Sequence, residues 1–392
     1  MTIVFFTSLW IVIYTYLGYG VIVWIWLKLR NAVGSSRPER PEVKDWPRVT
    51  LLIAAYNEVD ILAEKLANCF DLDYPKDRLK FLFVSDGSSD GTPALLDEAE
   101  GIQHLHISAR NGKIAAVKRA IPYVDTPFIV FTDANTFLNR ESIKRLIRHF
   151  EDETVGAVAG EKRVRAKKGD QASAAGEGLY WKYESLLKKQ DAELYSVVGA
   201  AGELYAIRTP LFQAIPGDAI LDDFEQTLQI AAAGYRVTYD PDAYAEEEAS
   251  ANLAEELKRK IRICAGGFQA MSRLLPLLNP FKYGILSFQY ISHRVLRWTL
   301  APLSIPLLFL ANLYLLMQEN SFFYLLFFLL QIGFYVQAGV AYLLRNRKVN
   351  IKGFFVPLYF CIMNYAVFAG FSRFIRKTQS VNWEKAKRAS QV

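Results

Sequence analysis

The amino terminus of the chain is an uninterrupted apolar segment. Residues 2–27 contain no charged side chain, and a helix of that length can cross a hydrocarbon core about 30 Å thick. No small-residue cleavage site follows, which is typical of a retained anchor and not of a removed signal peptide. The sequence therefore predicts a transmembrane anchor over residues 1–29, and the Pro-, Ser- and charge-rich stretch at 30–47 predicts a linker.

The apolar density returns near the carboxyl terminus. Here we expect interfacial amphipathic segments over residues 271–295, a transmembrane region over residues 296–375 and a basic tail over residues 376–392. The expected transmembrane region contains three candidate spans, making about four in the chain, at residues 296–317, 321–344 and 353–371.

Basic residues next to these segments predict the orientation of the chain. They follow the first span and separate the third from the fourth: Lys28, Arg30, Arg37, Arg40, Arg345, Arg347 and Lys348. The positive-inside rule therefore predicts that the central region is cytoplasmic. It also predicts that the protein crosses the inner (plasma) membrane several times. A fourth crossing would leave the basic tail outside, so either the last segment is re-entrant or the rule fails there. The net charge is +6, and we expect the basic residues to contact anionic membrane lipids and not nucleic acid.

The region between the apolar segments alternates strands and helices. The runs "RVTLLIAAYNE", "RLKFLFVSDG", "GIQHLHISA" and "TPFIVFTDAN" read as strands, with helical patterns between them. This pattern predicts βαβ units and a mostly parallel sheet covered by helices on both faces, over residues 48–270. No G-x-G-x-x-G follows the first strand and "ARNGK" lacks the upstream glycine of a Walker loop, which argues against dinucleotide-binding and P-loop proteins.

Polar residues end several of these predicted strands. Tyr56 and Glu58 follow the first strand, Asp86 ends the second, and Asp133 and Asn135 end the fourth. Because ligands of parallel sheets bind at the carboxyl ends of strands, we expect these residues to form one site. Asp133 and Asn135 would share a face of an extended chain and could hold a cation or a sugar, although an ordinary Asx turn also explains them.

A second polar cluster lies further along the chain. Asp222 and Asp223 precede an amphipathic helix, where one aspartate is a common amino-terminal cap. Two adjacent carboxylates in a cleft repel each other, which would raise one pKa towards the range of a general base. The basic segment at 259–262 allows two interpretations, a membrane-interface helix or an arginine that binds a diphosphate.

The ordered set of motifs resembles the membrane-embedded family 2 glycosyltransferases, which include hyaluronan, cellulose, chitin and poly-N-acetylglucosamine synthases. The motifs that carry the resemblance are "AAYNE", "VSDGSSDGT", "NGK", "FTDAN", "GAAGELYAIR", "LDDFEQTL" and "RKIRICAGGFQ". The resemblance implies a GT-A-type fold, a nucleotide-sugar donor and transfer with inversion at the anomeric carbon. It covers nearly the whole chain.

The resemblance also implies roles for individual residues. Tyr56 and Glu58 would contact the nucleoside, Asp86 the uracil or ribose, and Lys113 the donor phosphates. Asp133 would hold the metal at the first position of the D-x-D motif, Asp223 would be the general base, and Arg262 would bind the donor. Gly202, Glu203 and Asp222 would lie on the acceptor side.

Two departures from the family pattern stand out. Asn135 occupies the second position of D-x-D, so a neutral amide replaces a carboxylate and the binding of Mg²⁺ or Mn²⁺ should weaken. Processive members carry Q-x-x-R-W near the membrane. We expect the segment 259–263 to correspond to this motif and to retain only its arginine, Arg262. Processive synthesis, in which the enzyme holds a growing polymer, is therefore less expected for this chain.

Together these features predict a membrane-bound inverting glycosyltransferase that moves a sugar from a UDP-sugar to a polysaccharide or lipid-linked acceptor in cell-surface glycan synthesis. A catalytically inactive nucleotide-sugar-binding scaffold is the alternative that Asn135 favours, while Asp86, Asp133 and Asp223 oppose it. A transporter is a third interpretation, but the apolar spans hold few ionisable residues.

Overall fold

The computed structural model describes residues 1–34, 43, 45–165, 172–248, 250, 252–345 and 353–380. Half of the predicted linker at 30–47 and most of the predicted tail at 376–392 lie outside these residues, as do Arg37, Arg40, Arg347 and Lys348.

An eight-stranded mixed sheet forms the centre of the middle region, in the order β3-β2-β1-β4-β7-β6-β8-β5. Strands β3, β2, β1 and β4 pair in parallel, as predicted, whereas β7 is antiparallel to β4 and β6, and β5 is antiparallel to β8. The strands are β1 Val49–Ala55, β2 Leu79–Asp86, β3 Gln103–Ile107, β4 Phe128–Asp133, β5 Phe137–Leu138, β6 Val155–Arg165, β7 Leu204–Arg208 and β8 Arg236–Glu248.

Helices flank the sheet and continue into the apolar ends of the chain. The α-helices of the described residues are α1 Thr2–Ile13, α2 Tyr19–Ala32, α3 Val59–Phe70, α4 Thr92–Glu98, α5 Lys113–Ala120, α6 Ser142–Ile147, α7 Ala172–Leu194, α8 Asp222–Ala232, α9 Leu253–Arg273, α10 Pro280–Tyr283, α11 Ile285–Tyr290, α12 Leu296–Trp298, α13 Leu300–Gln318, α14 Phe322–Leu343 and α15 Val356–Ile375.

The sheet separates two apolar core layers because successive side chains of a strand point to opposite faces. Leu52 of β1 packs in the layer that contains Val117 of α5 and Leu228 of α8. Leu51 packs in the opposite layer, with Leu62 of α3. The near-continuous apolar sequence of β1 follows from this burial on both faces.

The parallel register brings the polar strand ends to one edge of the sheet. Ala55 of β1 is paired with Ser85 of β2, and Ala54 with Asp133 of β4. The side chains that follow these positions therefore share the edge at which parallel sheets bind ligands.

Among the residues that the structure describes, four helices have the length and apolar composition to cross a membrane, one amino-terminal and three carboxyl-terminal, as predicted. The first is a continuous helical run over Thr2–Ala32, in which a π-helical turn at Tyr14–Gly18 connects α1 to α2. The other three are α13, α14 and α15. In the predicted interfacial region at 271–295 the chain forms short helices, and Phe281 there is 99% exposed.

Three tyrosines join the amino-terminal helix to the rest of the protein. The Tyr14 hydroxyl lies 2.8 Å from Ser292 Oγ, the Tyr16 hydroxyl donates to Asn364 Oδ1 at 2.6 Å, and the Tyr19 hydroxyl donates to Asp191. Buried tyrosine hydroxyls need such partners, because an unpaired buried hydroxyl is costly. The helix is therefore attached to the domain by specific polar contacts as well as by apolar packing.

Helix α15 packs side by side with α9 along most of its length. Near the start of α15, the Tyr359 hydroxyl donates to Glu256 Oε1 at 3.3 Å. Near its end, the rings of Phe374 and Phe268 lie 6.1 Å apart. Between these points Gly370 allows close approach, since a Cβ atom there would lie 2.6 Å from Cys264 Cβ.

Candidate active site

A cavity of 570 Å³ lies at the carboxyl edge of the parallel strands. Its wall is built from the ends of β1 and β4, the amino-terminal ends of α5 and α8, and helix α9. Most of the predicted site residues line it: Glu58, Lys113, Asp133, Asn135, Gly202, Glu203, Asp222, Asp223 and Arg262.

Asp133 and Lys113 form an ion pair inside this cavity, with 2.6 Å between Asp133 Oδ1 and Lys113 Nζ. Strand β4 ends at Asp133, and Asn135 lies in the turn that follows, so the predicted alternation of an extended strand does not reach Asn135. Both side chains nevertheless face the cavity. The pair places a carboxylate and an ammonium group where a diphosphate and its counterion could be held.

Asp222 and Asp223 open helix α8, but neither acts as its cap. The N-cap residue is Leu221, and no side-chain cap hydrogen bond forms. Burial raises the pKa of Asp223 to about 7, the carboxylate of Asp222 adds to the rise, and Lys113 opposes it. Asp223 is thus a carboxyl group that can accept a proton near neutral pH.

Gly199 and Gly202 lie so close to other side chains that a Cβ atom at either position would crowd them. Gly199 has φ +84°, and a Cβ atom there would lie 2.1 Å from the ring of Phe224. A Cβ atom on Gly202 would lie 3.3 Å from Asp223 Oδ2 and 3.4 Å from Lys113 Nζ. The absence of a side chain at Gly202 therefore keeps the space beside the proposed base open.

Glu203 reaches the cavity from the end of the same glycine-rich turn. It pairs with Lys162, which is fully buried and also pairs with Glu247. Burial alone would raise the pKa of Glu203, but the charge of Lys162 outweighs it and lowers the pKa to about 2. Glu203 is therefore ionised at neutral pH, and the ring of Trp181, 5.2 Å from Lys162 Nζ, covers the cluster.

Arg262 extends from α9 into the cavity. Burial lowers its pKa, an effect that Asp222, Asp133 and Asp223 oppose. Its Nε atom is buried and has no hydrogen-bond partner within the described part of the chain. A desolvated guanidinium group whose Nε atom lacks a hydrogen-bond partner is suited to bind an anionic ligand.

Tyr56 and Asp86 do not line the cavity. The guanidinium group of Arg110 stacks on the Tyr56 ring, 3.8 Å from its centre. Asp86 is buried and accepts hydrogen bonds from the backbone amides of Asn111, at 2.8 Å, and Gly112, at 2.6 Å. These contacts order the loop that immediately precedes Lys113.

The oxygen atoms of the site fit a divalent cation only in combination with a ligand. Among the residues that the structure describes, no group of three or more His, Cys, Asp and Glu side chains converges to hold a metal ion. Asp133 and Asn135 supply one carboxylate and one amide, and Mg²⁺ and Mn²⁺ are commonly held by few protein oxygens together with substrate phosphates. The donor set is therefore compatible with a cation that binds together with a diphosphate.

Part of the chain matches a known protein family. Residues 50–214 match the family model described as Glycosyl transferase family 2. The chain contains a family 2 glycosyltransferase domain. The resemblance inferred from the sequence motifs is thereby confirmed.

Proteins similar to this chain include a polysaccharide synthase and a glycolipid synthase. A poly-beta-1,6-N-acetyl-D-glucosamine synthase of Staphylococcus aureus is 24% identical over 267 residues, which cover 65% of this chain and 63% of the relative. A beta-monoglucosyldiacylglycerol synthase of Synechocystis is 24% identical over 237 residues, which cover 57% of this chain and 48% of the relative. The match thus spans about half to two thirds of these relatives.

A solved structure shares the fold over nearly the full chain. The mannosyltransferase PcManGT from Pyrobaculum calidifontis, determined with GDP-Man and Mn²⁺, superposes with a TM-score of 0.71 at 21% identity. The match covers 95% of this chain and 99% of that chain. The GT-A-type fold and its helix-rich carboxyl-terminal region are confirmed.

The sequence analysis missed residues on the carboxyl-terminal side of the cavity. Arg294, Trp298 and Arg373 line it, although all three come after the predicted catalytic domain. Arg294 and Trp298 were detectable, because the stretch Arg294-Val295-Leu296-Arg297-Trp298 has the spacing of Q-x-x-R-W with arginine in place of glutamine. The conclusion that only the motif's arginine is retained, at Arg262, is therefore wrong, since this stretch retains both the arginine and the tryptophan.

The raised pKa of Asp223 generates a test that does not depend on activity. We expect a carboxyl group to titrate near pH 7 in infrared difference spectra. The signal should be absent in Asp223→Asn and should move to lower pH in Asp222→Asn, because that change removes a carboxylate that raises the pKa. Asp71→Asn, at an exposed helix end outside the cavity, is the control. An unchanged midpoint in Asp222→Asn would contradict the coupling.

Proposed function

We propose that this protein is a membrane-bound inverting glycosyltransferase that transfers a sugar from a nucleotide-diphosphate sugar to a hydroxyl group of its acceptor. The observation that carries the proposal is the convergence of four side chains on one cavity: Asp133, Lys113, Arg262 and Asp223. Lys113 and Arg262 suit the negatively charged diphosphate of a donor, and Asp133 suits a cation bound to that diphosphate. The fourth suits the proton of an acceptor.

Asp223 takes the proton of the acceptor hydroxyl in the proposed reaction. The hydroxyl oxygen forms a bond to the anomeric carbon while the bond between that carbon and the diphosphate oxygen breaks, so the nucleoside diphosphate leaves with the bonding electrons. A carboxyl group with a pKa near 7 matches this task at neutral pH. Attack opposite to the leaving group inverts the anomeric configuration.

Lys113 and Arg262 stabilise the leaving diphosphate. Lys113 lies beside Asp133 at the carboxyl edge of the sheet, and Arg262 faces the same aspartates from α9. Positive charges placed beside the leaving group lower the energy of the negative charge that develops on it. A divalent cation held by Asp133, Asn135 and the donor phosphates would supply further neutralisation of that charge.

The donor is proposed from the resemblance to be a UDP-sugar. The structural neighbour PcManGT was determined with GDP-Man, so donors with either base belong in a test panel. The acceptor is a polysaccharide or a lipid-linked glycan of the cell surface. Relatives named as a poly-N-acetyl-D-glucosamine synthase and a glucosyldiacylglycerol synthase support both acceptor classes.

The proposed base predicts a separation of binding from catalysis. Asp223→Asn should reduce release of nucleoside diphosphate by at least about 100-fold, because general-base catalysis contributes about that much or more, and should leave binding of the nucleotide nearly unchanged. Turnover is measured with UDP- and GDP-sugars in Mg²⁺ or Mn²⁺, and binding by calorimetry. Asp71→Asn serves as the matched control.

Two outcomes of this experiment would contradict the proposal. Equal loss of nucleotide binding and turnover in Asp223→Asn would mean that Asp223 belongs to the donor site. Nucleotide binding without turnover in the wild-type protein, with every donor and with both candidate acceptor classes supplied, would favour the inactive scaffold.

We also propose that the catalytic domain is cytoplasmic, in the inner (plasma) membrane, and that α15 does not carry the chain across to the outer side. Helix α9, with Glu255 and Glu256 in its first turn and Arg273 in its last, is too polar to lie inside a bilayer. Because α15 follows α9 with contacts near both of its ends, it lies at the cytoplasmic surface. Lys28, Arg30 and Arg345 are then on the same side as the tail, which removes the conflict with the positive-inside rule.

This arrangement predicts the side of the membrane on which the carboxyl terminus and the connection between α13 and α14 lie. A fluorescent reporter that folds only in the cytoplasm should be active when fused after residue 392, and a phosphatase that folds only outside should be active when inserted between α13 and α14. A reversed result for the fusion after residue 392 would show that α15 crosses the membrane. The insertion between α13 and α14 acts as the internal control.

A further inference from the structure

The basic residues that line the cavity differ in whether a carboxylate pairs with them. Lys113 pairs with Asp133, Lys258 with Glu255, Arg259 and Lys260 with Glu256, and Arg294 with Glu184. Arg373, in the last turn of α15, donates to the neutral amide oxygen Gln379 Oε1 at 3.0 Å. No carboxylate within the described part of the chain pairs with it, so its positive charge remains available to an anion.

Arg373 is separate in chain position and surroundings from the groups assigned to the donor. Arg262 faces Asp133, Asp222 and Asp223, which places it with the donor diphosphate. Arg373 comes from α15 and lines the cavity together with Gln379 and Ser380. A second anionic group on a second ligand would account for a guanidinium at that position, since guanidinium matches phosphate oxygens in a bidentate manner.

The turn of α15 that carries Arg373 also carries exposed apolar side chains. Phe371 is 44% exposed and Ile375 is 61% exposed, as expected for side chains that face lipid at a membrane surface. Arg373, two residues from each of them, instead faces the cavity. One helical turn thus presents exposed apolar side chains on one side and Arg373 to the cavity on the other, which gives an acceptor in the membrane a route to the cavity.

The presence of a positioned base restricts which group of the acceptor reacts. A phosphate oxygen is already ionised at neutral pH and needs no base, whereas a hydroxyl group must lose a proton as it attacks. Asp223 therefore fits a hydroxyl nucleophile, and Arg373 fits a phosphate that does not react. The acceptor needs both groups.

We propose, resting on the function proposed above, that the acceptor is a membrane lipid whose headgroup carries a phosphate bound by Arg373 and a free hydroxyl presented to Asp223. During transfer the hydroxyl oxygen bonds to the anomeric carbon, the bond from that carbon to the donor diphosphate breaks, and the proton passes to Asp223. The lipid phosphate is unchanged by the reaction.

Two diacyl lipids that differ in the phosphate test this proposal. Phosphatidylinositol carries a phosphate and ring hydroxyls, while a glucosyldiacylglycerol carries ring hydroxyls and no phosphate. Retention of each lipid by the purified full-length protein is measured by native mass spectrometry. We expect retention of phosphatidylinositol over the neutral lipid, and about tenfold weaker retention in Arg373→Gln, the loss typical of a hydrogen bond to a charged group.

Matched variants separate this contact from general effects. Arg376→Gln removes an exposed arginine at the end of the same helix that does not line the cavity, and it should bind phosphatidylinositol as the wild type does. Arg373→Lys keeps the charge but loses the bidentate geometry, so it should fall between Arg373→Gln and the wild type. Nucleotide binding, measured in parallel, should be unchanged in all three variants, which also confirms that they are folded.

Three results would overturn the proposal. Equal retention of the two lipids would mean that the phosphate is not recognised. Loss of nucleotide binding in Arg373→Gln with phosphatidylinositol still retained would place Arg373 in the donor site. Displacement of the lipid by an equal concentration of inorganic phosphate would identify a free phosphate as the ligand. If sugar transfer is not detected, the lipid-retention measurement still tests the role of Arg373, because retention does not depend on turnover.

Discussion

The ion pair between Lys113 and Asp133, 2.6 Å long, joins two segments that are distant in sequence at one edge of the sheet. Its position depends on the parallel pairing of β4 with β1 and of β1 with β2. The loop before Lys113 is in turn held by Asp86, whose carboxylate accepts two backbone amide hydrogen bonds. A predicted binding residue therefore serves here to position another, and the geometry of the cavity follows from backbone pairing before any ligand binds.

The apolar segments contribute to the cavity as well as to anchoring. Tyr14, Tyr16 and Tyr19 attach the amino-terminal helix to Ser292, Asn364 and Asp191. Asp191 also contacts His293, the neighbour of the cavity residue Arg294, with 2.6 Å between Asp191 Oδ2 and His293 Nδ1. A π-helical turn lies at this attachment, and such turns are frequent at functional sites. The membrane helix and the cavity wall are thus one hydrogen-bonded unit.

Much of the fold was predictable because its signals are local. The apolar runs of β1, β2 and β4 and the polar residues after them are short patterns, and parallel pairing places their ends together. The charge-free amino-terminal segment predicts a membrane helix from length alone. The adjacent carboxylates at 222 and 223 suggested a base because their repulsion is a local effect. Burial is the larger cause of the raised pKa of Asp223, and the Asp222 carboxylate adds to it.

The parts that the sequence did not reveal depend on tertiary packing. Arg373 reaches the cavity because α15 packs against α9, a contact that Gly370 permits. No local sequence pattern predicts that contact. The antiparallel insertion of β7 between β4 and β6 is likewise decided by pairing between distant segments. Asn135 leaves the predicted strand face because the chain turns directly after Asp133.

The central claim is that Asp133 and Lys113 together receive a cation-bound diphosphate. A structure of the protein with UDP or GDP and Mn²⁺, with the metal located by its anomalous scattering, tests this claim most directly. We expect manganese at coordination distance from an Asp133 oxygen and from the diphosphate, with Lys113 moved from Asp133 to a phosphate oxygen. Nucleotide bound elsewhere, with the 2.6 Å pair of Lys113 and Asp133 intact and no metal beside it, would contradict the account.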